Sequence, residues 1–364
     1  MLEQIAYMAA GLAILVFGAD WLVKGASRLA IAASITPLVV GLTIVAFGTS
    51  APELAVSVTS AYSGASDIAV ANAVGSNIFN VLFILGISAL VAPLIVHQQL
   101  VRMDVPIMIG ASILLFVLGI DGRLGLWDSL LLASLIIAYT VFLIVEARRE
   151  KNVEIVAEYI DGVEDAVGTG KSSLPMNLLF IVAGLTALIF GSQLLVDGAI
   201  SFAKLIGVSE VIIGLTIVAA GTSLPELATS VVAAFKGERD IAIGNIVGSN
   251  IFNICSVLGF SGLASGGNLS VASNLLAVDI PLMIGIALLC LPFFRSGYEV
   301  TRANGAVFLG AYCVYVAWLV MAATGNPMRA GLEMLLSGVL MPALIVGAVV
   351  VAVLTLRREE QEKR

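Results

Sequence analysis

The chain repeats its own sequence at a distance of 173 residues. Residues 41–57 read GLTIVAFGTSAPELAVS and residues 214–230 read GLTIVAAGTSLPELATS, with 14 of 17 positions identical. A second pair, DIAVANAVGSNIFN at 67–80 and DIAIGNIVGSNIFN at 240–253, matches at 11 of 14 positions with the same spacing. This repeat predicts two equivalent halves, so a site built from the repeated residues should have two matching sides.

The composition places these halves in a membrane. The 364 residues are 60% hydrophobic and only 12% charged, with a mean hydropathy of +1.08, whereas soluble domains carry about 25% charged residues. This excludes a disordered protein and argues against a soluble enzyme, and it predicts an all-α polytopic membrane protein surrounded by the lipid bilayer. The net charge of −7 argues against nucleic acid as a partner.

A bilayer core about 30 Å thick needs about 20 apolar residues per helix. Hydropathy predicts eleven spans, near 5–23, 36–60, 68–94, 104–120, 127–146, 177–200, 209–235, 241–263, 279–294, 304–323 and 333–356. With the N-terminus outside, 15 of the 18 Lys and Arg residues fall on the cytoplasmic side, and only Arg123, Lys204 and Arg329 fall outside. Because basic residues favour the cytoplasm, we expect a multi-pass cell-membrane protein with a cytoplasmic C-terminus.

Each repeat unit contains five spans, so the second copy enters the membrane from the opposite side. Such inverted-topology repeats are typical of secondary transporters. The predicted organisation is a first repeat at 1–146, a polar cytoplasmic linker at 147–175, a second inverted repeat at 176–323, and an eleventh span with a cytoplasmic tail at 324–364.

Each copy carries a proline and a glutamate inside an apolar span, Pro52-Glu53 and Pro225-Glu226. Proline breaks a helix, and the freed carbonyls then need partners; these carbonyls are expected near Ala46, Thr49, Ala219 and Thr222. A carboxylate at that depth costs about 2.5–3.5 kcal/mol and marks a functional site. No basic residue within the spans is an obvious partner, so a bound cation is the simplest counter-charge.

The second repeated block supplies further oxygen ligands. Helical spacing places Asn72, Ser76 and Asn80 on one stripe, and the second copy repeats them as Asn245, Ser249 and Asn253. Gly75 and Gly248 are expected to let spans 3 and 8 pack closely against the broken helices. A centre formed by spans 2, 3, 7 and 8 would bring both glutamates together, and an all-oxygen site suits Ca²⁺ better than soft metals.

The paired GTS-x-PE and N-x-x-GSN-x-x-N motifs resemble the α-repeats of the cation/Ca²⁺ exchanger superfamily, and most of all its prokaryotic sodium/calcium exchanger branch. The resemblance covers about 5–323. It implies a ten-helix exchanger core, a central Na⁺/Ca²⁺ site, and alternating access in which the first helix of each repeat slides over the rest. The eleventh helix departs from this pattern.

The resemblance also implies the ligands. It assigns the principal carboxylates to Glu53 and Glu226, and the completing amide oxygens to Asn80 and Asn253, where some relatives carry an aspartate. Side-chain oxygens fall on Ser50, Ser223, Ser76 and Ser249, and backbone carbonyls on Ala46, Thr49, Ala219 and Thr222. Pro52 and Pro225 break the helices, and Asn77 and Asn250, adjacent to the stripes, are expected to brace them.

We therefore expect an antiporter that exchanges Ca²⁺ for Na⁺ and uses no cofactor. Ca²⁺/H⁺ exchange and a K⁺-coupled exchanger of the same fold stay open as alternatives, and a cation channel fits the inverted repeat less well. Proton-coupled relatives typically carry a glutamate where this chain has Gly75 and Gly248, which favours Na⁺.

Three further sets of residues carry expectations that the structure can test. The glycines of spans 1 and 6 could form sliding surfaces or simple close packing (Gly11, Gly18, Gly25, Gly184, Gly191 and Gly198). Four aspartates near span starts are expected to act as N-caps (Asp67, Asp104, Asp240 and Asp279). Asp20 and Lys24 are expected to pair at i, i+4 spacing.

Overall fold

The computed structural model describes residues 1–33, 35–149, 174–325 and Gly331. The predicted eleventh span at 333–356 and most of the predicted linker lie outside the described residues. The first half forms α1 (Leu2–Ala33), the broken pair α2a (Pro37–Thr49) and α2b (Ala51–Tyr62), α3 (Ser66–Val91), α4 (Leu100–Leu118) and α5 (Leu126–Arg149).

The second half repeats this order. It forms α6 (Leu174–Leu205), α7a (residues 210–221, made of Glu210–Ile213, Gly214–Val218 and Ala219–Gly221), α7b (Leu224–Phe235), α8 (Arg239–Ala264), α9 (Leu275–Arg295) and α10 (Arg302–Ala323). In the described part of the chain, eight helices are long and apolar enough to cross a membrane, and α2 is a ninth if its two pieces count as one. The prediction of a mostly helical polytopic membrane fold is confirmed.

The broken helices bend at their repeated serines. The two parts of α2 meet at 43°, and Ser50 and Ser223 leave the helical conformation, with ψ near 5° and 9°. Pro52 and Pro225 follow in the first turns of α2b and α7b, where a missing backbone donor is tolerated. The break therefore follows from the proline placement that the sequence repeats.

Wide, π-helical turns occur at equivalent positions in the two halves. They cover Gly41–Val45, Asn80–Ile84 and Leu100–Asp104, then Gly214–Val218, Asn253–Val257 and Leu275–Asp279. Such turns insert one residue into a helix and often mark functional sites. Two of them begin at the predicted ligands Asn80 and Asn253.

Helices α1 and α6 form a tightly interlocked antiparallel pair. A Cβ added to Gly11 would lie 2.5 Å from the Leu195 nitrogen, and one added to Gly184 would lie 2.6 Å from the Leu22 nitrogen. The other glycines of the set make similar contacts across the same interface. The close packing expected of these glycines is therefore confirmed, because they join α1 to α6; a sliding role stays a prediction.

Two short antiparallel β-pairs tie the halves together at equivalent loops. Strand β1 (Leu94–Ile95) pairs with β4 (Glu299–Val300), and β2 (Arg123–Gly125) pairs with β3 (Asn268–Ser270). Among the candidate spans of the described residues, α8 is the most enclosed. All of its most apolar 18-residue stretch is buried, against 72% of the equivalent stretch of α3. The centre of the molecule thus lies along α8 and α3.

The N-cap predictions for the four aspartates are wrong. Asp67 and Asp240 are the second residues of their helices, which begin two residues earlier than expected. Asp104 and Asp279 lie inside continuous helices, and their carboxyl groups accept hydrogen bonds from Tyr139 at 3.0 Å and Tyr315 at 2.9 Å. These aspartates join neighbouring spans and do not terminate helices.

The predicted Asp20–Lys24 pair is confirmed at 2.8 Å. Asp20 also contacts Lys236, at the end of α7b. This ion pair therefore connects α1 to the second broken helix as well as bridging one turn of α1.

Candidate functional site

Glu53 and Glu226 are fully buried, each with 0% of its surface exposed. They lie in the first turns of α2b and α7b, where the unpaired backbone amides of a helix N-terminus favour negative charge. No ion pair between described residues involves either glutamate. Two carboxylates are thus held in the interior without a basic partner in the described part of the chain.

Each glutamate is held by a serine of the opposite repeat. The Ser223 hydroxyl donates to Glu53 Oε1 at 2.7 Å, and the Ser50 hydroxyl donates to Glu226 Oε1 at 3.0 Å. These serines are the residues at which α2 and α7 break. The crossed hydrogen bonds bring both breaks and both carboxylates to one centre.

Helices α3 and α8 contribute serines to this centre unequally. Ser76 donates to Glu53 Oε1 at 3.4 Å, and its oxygen lies 3.0 Å from that of Ser223, whose hydroxyl donates to the same carboxylate. Its counterpart Ser249 is fully buried, yet its hydroxyl has no hydrogen-bond partner among the described residues. The first carboxylate therefore has more hydroxyl contacts than the second.

Four asparagines form a crossed network between α3 and α8. The Asn80 amide donates to Asn250 Oδ1 at 3.3 Å, and the Asn253 amide donates to Asn77 Oδ1 at 3.1 Å. Asn77 also donates to the Asn250 carbonyl at 3.1 Å. Because the amide nitrogens of Asn80 and Asn253 donate these hydrogen bonds, the side-chain oxygens of both residues are the atoms available to an ion.

Several buried oxygens here have no hydrogen-bond partner in the structure. They are Glu53 Oε2, Glu226 Oε2, Ser249 Oγ, Asn80 Oδ1 and Asn253 Oδ1. Buried polar atoms are nearly always paired, and an unpaired buried acceptor costs about 1–3 kcal/mol. Unpaired carboxylate, hydroxyl and amide oxygens of this kind match the chemistry of a hard cation, since Ca²⁺ takes 6–8 oxygens.

The donor set is carboxylate, hydroxyl and amide. No group of three or more His, Cys, Asp or Glu residues suited to a metal occurs in the ranges that the structure describes. This agrees with a site of two carboxylates completed by neutral oxygens, and it does not fit thiophilic metals.

The predicted backbone-carbonyl ligands differ between the halves. The Ala46 carbonyl is not freed, because it accepts the Ser50 amide at 3.1 Å; the Thr49 hydroxyl lies 3.4 Å from it but is closer to Asn245 Oδ1, at 3.0 Å. Helical bonding continues to Ser50 before the chain breaks. Ala46 is fully buried, whereas the equivalent Ala219 is exposed.

This difference belongs to a wider asymmetry. A Cβ added to Gly248 would lie 2.8 Å from Ala46 Cβ, so α8 packs tightly on α2a, as predicted. An added Cβ at Gly75 would have no neighbour within 4 Å, and neither would one at Gly214. The close packing predicted for Gly75 is therefore absent, so the two equivalent glycines are packed differently.

Asn72 and Asn245 lie on the predicted polar stripes of α3 and α8, and each of them hydrogen-bonds to the neighbouring broken helix. The Asn245 amide donates to the Glu226 carbonyl at 3.4 Å and to the Ser230 hydroxyl at 2.9 Å. The Asn72 amide makes the same two contacts, with the Glu53 carbonyl at 3.4 Å and with Ser57 at 3.1 Å. Ser57 and Ser230 end the first repeated block, so the repeat itself carried a signal for these contacts.

Comparison with known proteins agrees with the chemistry of the site. The sequence profile of the family described as "Sodium/calcium exchanger protein" matches residues 3–145 and 176–321. The chain is 37% identical over 340 residues to the sodium/calcium exchanger MaX1 of Methanosarcina acetivorans, covering 85% of this chain and 96% of that protein. It is 36% identical over 321 residues to the inner membrane protein YrbG of Escherichia coli, covering 88% and 97% respectively.

A solved structure is also similar. The structure of the sodium-calcium exchanger NCX_Mj soaked without Na⁺ and Ca²⁺ superposes with a TM-score of 0.72 at 30% identity. The match covers 87% of this chain and 99% of that one.

Proposed function

The chain belongs to the sodium/calcium exchanger family, and from that premise we propose that it is a secondary active antiporter that exchanges Ca²⁺ for Na⁺ across the cell membrane. The observation that carries this proposal is the pair of fully buried glutamates, each with one oxygen bound by a serine of the opposite repeat and one oxygen without a partner. Family membership supports antiport of cations including Ca²⁺, and the coupling to Na⁺ is our inference.

The charges explain why such a site would exchange ions. One Ca²⁺ neutralises Glu53 and Glu226 together, and two Na⁺ would do the same. Leaving both carboxylates bare in a low-dielectric interior is costly, which should hinder movement of an empty carrier. Because both ions compete for the same oxygens, each is carried only in exchange for the other.

We propose that both repeats contribute ion ligands, and we call the ligands from one repeat a half-site. Glu53, Glu226, Asn80 and Asn253 supply carboxylate and amide oxygens. Hydroxyl oxygens come from Ser50, Ser223, Ser76 and Ser249. Backbone carbonyl oxygens come from Thr49, Ala219 and Thr222, and from Ala46 through the lone pair that the Ser50 amide does not use. The unpartnered oxygens support the first group most directly, and Asn77 and Asn250 orient two of these amides.

Alternating access is supported by the unequal packing of the two halves. Gly248 of α8 packs on α2a, whereas an added Cβ at Gly75 of α3 would have no neighbour within 4 Å. In a ten-helix core of two inverted five-helix repeats, with the N-terminus outside, the looser packing beside α7a would lie on the outer side. In the state that opens to the other side, α7a would pack closely on α3 and α2a would pack loosely on α8. The interlocked pair α1 and α6 would move as one body, and an eleventh C-terminal span would lie beyond this core.

The coupling ion is tested by Ca²⁺ flux in proteoliposomes with separately imposed Na⁺, K⁺ and H⁺ gradients. We expect an outward Na⁺ gradient to drive Ca²⁺ uptake, with little response to a pH gradient alone. Uptake driven by the pH gradient and indifferent to Na⁺ would overturn the Na⁺ assignment, and a strict requirement for K⁺ would identify the K⁺-coupled alternative. Uptake that needs no counter-ion would contradict antiport itself.

A further inference from the structure

Asn245 and Asn72 lie outside the proposed ligand set, and each of them completes a ring of contacts that includes one of the two glutamates. The Asn245 side chain donates to the Glu226 carbonyl at 3.4 Å and accepts from the Thr49 hydroxyl at 3.0 Å. Thr49 is followed by Ser50, whose hydroxyl returns to Glu226 at 3.0 Å. The ring therefore runs from Glu226 through Asn245, Thr49 and Ser50 back to Glu226.

The other repeat contains the same ring. Asn72 donates to the Glu53 carbonyl at 3.4 Å and accepts from the Thr222 hydroxyl at 3.3 Å. Ser223, next in the chain, returns to Glu53 at 2.7 Å. Both rings thus join the glutamate half-helix of one repeat to the break of the other repeat, through an asparagine on α3 or α8.

On the basis of the function proposed above, we propose that Asn72 and Asn245 are positioning residues that set the preference of the site for Ca²⁺ over Na⁺. They would do so by fixing the distance between the two half-sites. Neither asparagine is needed as a ligand. Each holds a glutamate backbone and an opposing threonine, so it controls how closely the carboxylate of one repeat approaches the serine and threonine of the other.

The selectivity follows from the number of half-sites that one ion must contact. A single Ca²⁺ balances both glutamates only if the two half-sites stay together, whereas separate Na⁺ ions can each bind one side. Coulomb attraction also scales with ionic charge, so a loosened ligand costs a divalent ion about twice the free energy that it costs a monovalent one. Loss of a partner that orients metal ligands typically lowers affinity about 10–100-fold.

The ring around Glu226 offers the cleaner test, because Asn245 and Thr49 are both 0% exposed. Thr49→Val removes the hydroxyl that donates a hydrogen bond to Asn245, while it keeps the shape of the side chain. Thr49→Ser keeps this hydroxyl and is the matched control. Asn245→Ala removes the whole connection. Ca²⁺ binding by calorimetry and Na⁺ competition against bound Ca²⁺ are measured in detergent, beside flux in proteoliposomes.

We expect Thr49→Val to lower Ca²⁺ affinity about tenfold and Na⁺ affinity about threefold, the square root of that factor for half the ionic charge. Thr49→Ser keeps the hydroxyl that bonds Asn245, so it should retain more Ca²⁺ affinity than Thr49→Val. Because both changes break one ring, the Thr49→Val/Asn245→Ala double variant should be no weaker than Asn245→Ala alone.

Equal losses for the two ions, unchanged affinities in Thr49→Val, or multiplicative effects in the double variant would each overturn the positioning role. Should Asn245→Ala fail to fold, the comparison of Thr49→Val with Thr49→Ser decides by itself. A wild-type protein that binds Ca²⁺ but shows no Na⁺-driven flux would contradict the proposed function while leaving the binding test of the rings intact.

Discussion

The Ser223 hydroxyl lies 2.7 Å from the Glu53 carboxylate, although the two residues are 170 positions apart and belong to different repeats. Ser50 and Glu226 form the mirror contact at 3.0 Å. The two repeats therefore complete each other's half-sites, and neither repeat alone contains the arrangement. This explains why the sequence preserves the serine, proline and glutamate together in both copies.

Removing either buried carboxylate should abolish transport. Glu53→Gln and Glu226→Gln each keep the shape but remove one of the two charges that balance a divalent cation. Losing one member of a buried charge pair costs about 3–5 kcal/mol, so we expect Ca²⁺ flux to fall at least about a hundredfold. ⁴⁵Ca²⁺ uptake into proteoliposomes with matched protein content measures this.

The control for these variants is Asp121→Asn, an exposed carboxylate whose only ion pair with a described residue is a 3.8 Å contact with Arg123. It should transport like the wild type. Flux at the wild-type level in either glutamate variant would remove that residue from the site.

Ser249→Ala should stabilise the empty protein while weakening Ca²⁺ binding. Its buried hydroxyl has no partner among the described residues, and removing such a group recovers about 1 kcal/mol of unfolding free energy. If the same oxygen binds the ion, Ca²⁺ affinity should fall about tenfold. Thermal unfolding in chelator and calorimetric Ca²⁺ titration test the two effects together.

Ser261→Ala is the matched control, because that serine is also buried and unpartnered on α8. It lies twelve residues further on, about 18 Å along the helix. It should show the stabilisation without the change in affinity. A Ser249 variant that binds Ca²⁺ as tightly as the wild type would assign that hydroxyl a packing role only.

Gly184→Ala should destabilise the α1–α6 pair. Its new Cβ would lie 2.6 Å from the Leu22 nitrogen, and overpacking of this kind typically costs about 1–3 kcal/mol. Gly110→Ala provides the contrast, since an added Cβ there has no neighbour within 4 Å and alanine favours a helix by about 1 kcal/mol over glycine. Opposite shifts in melting temperature are expected, and a stabilised Gly184→Ala would contradict the interlocked packing.

Tyr139→Phe should reduce stability without changing ion selectivity. The phenol donates to Asp104 at 3.0 Å, and the second oxygen of that carboxyl group already has no partner in the structure. Losing the donor should cost about 1–3 kcal/mol. Tyr62→Phe, at an 82% exposed position, should change stability by less than about 0.5 kcal/mol. A changed ratio of Ca²⁺ to Na⁺ affinity in Tyr139→Phe would place this pair in the transport site.

The helices and the two glutamates could be predicted from the sequence because their signals are local. Hydropathy marks the spans, and Pro52 and Pro225 mark the breaks directly. The Asp104–Tyr139 contact was out of reach, because it joins two different spans and neither residue carries a spacing that indicates the other. Asp104 is the last residue of a wide helical turn that begins at Leu100. This turn extends α4 toward its N-terminus, so the expected N-cap instead makes an interhelical contact.

The asymmetry of the two halves was equally hidden from the sequence. Gly75 and Gly248 occupy equivalent positions in nearly identical motifs, yet only Gly248 is in close contact with a broken helix. A repeat predicts equivalent residues, but the alternating access that we propose requires the two halves to be held differently at any moment. The repeat therefore predicts which residues are equivalent, but it does not predict how each of them is packed.

The most direct test is a crystal structure of the protein soaked in Ca²⁺ or Sr²⁺, read through its anomalous difference density. We expect one strong peak between the repeats, within about 2.3–2.6 Å of carboxylate oxygens from both Glu53 and Glu226. A map in which these side chains diverge, or in which the ion lies elsewhere and contacts neither of them, would contradict the shared site.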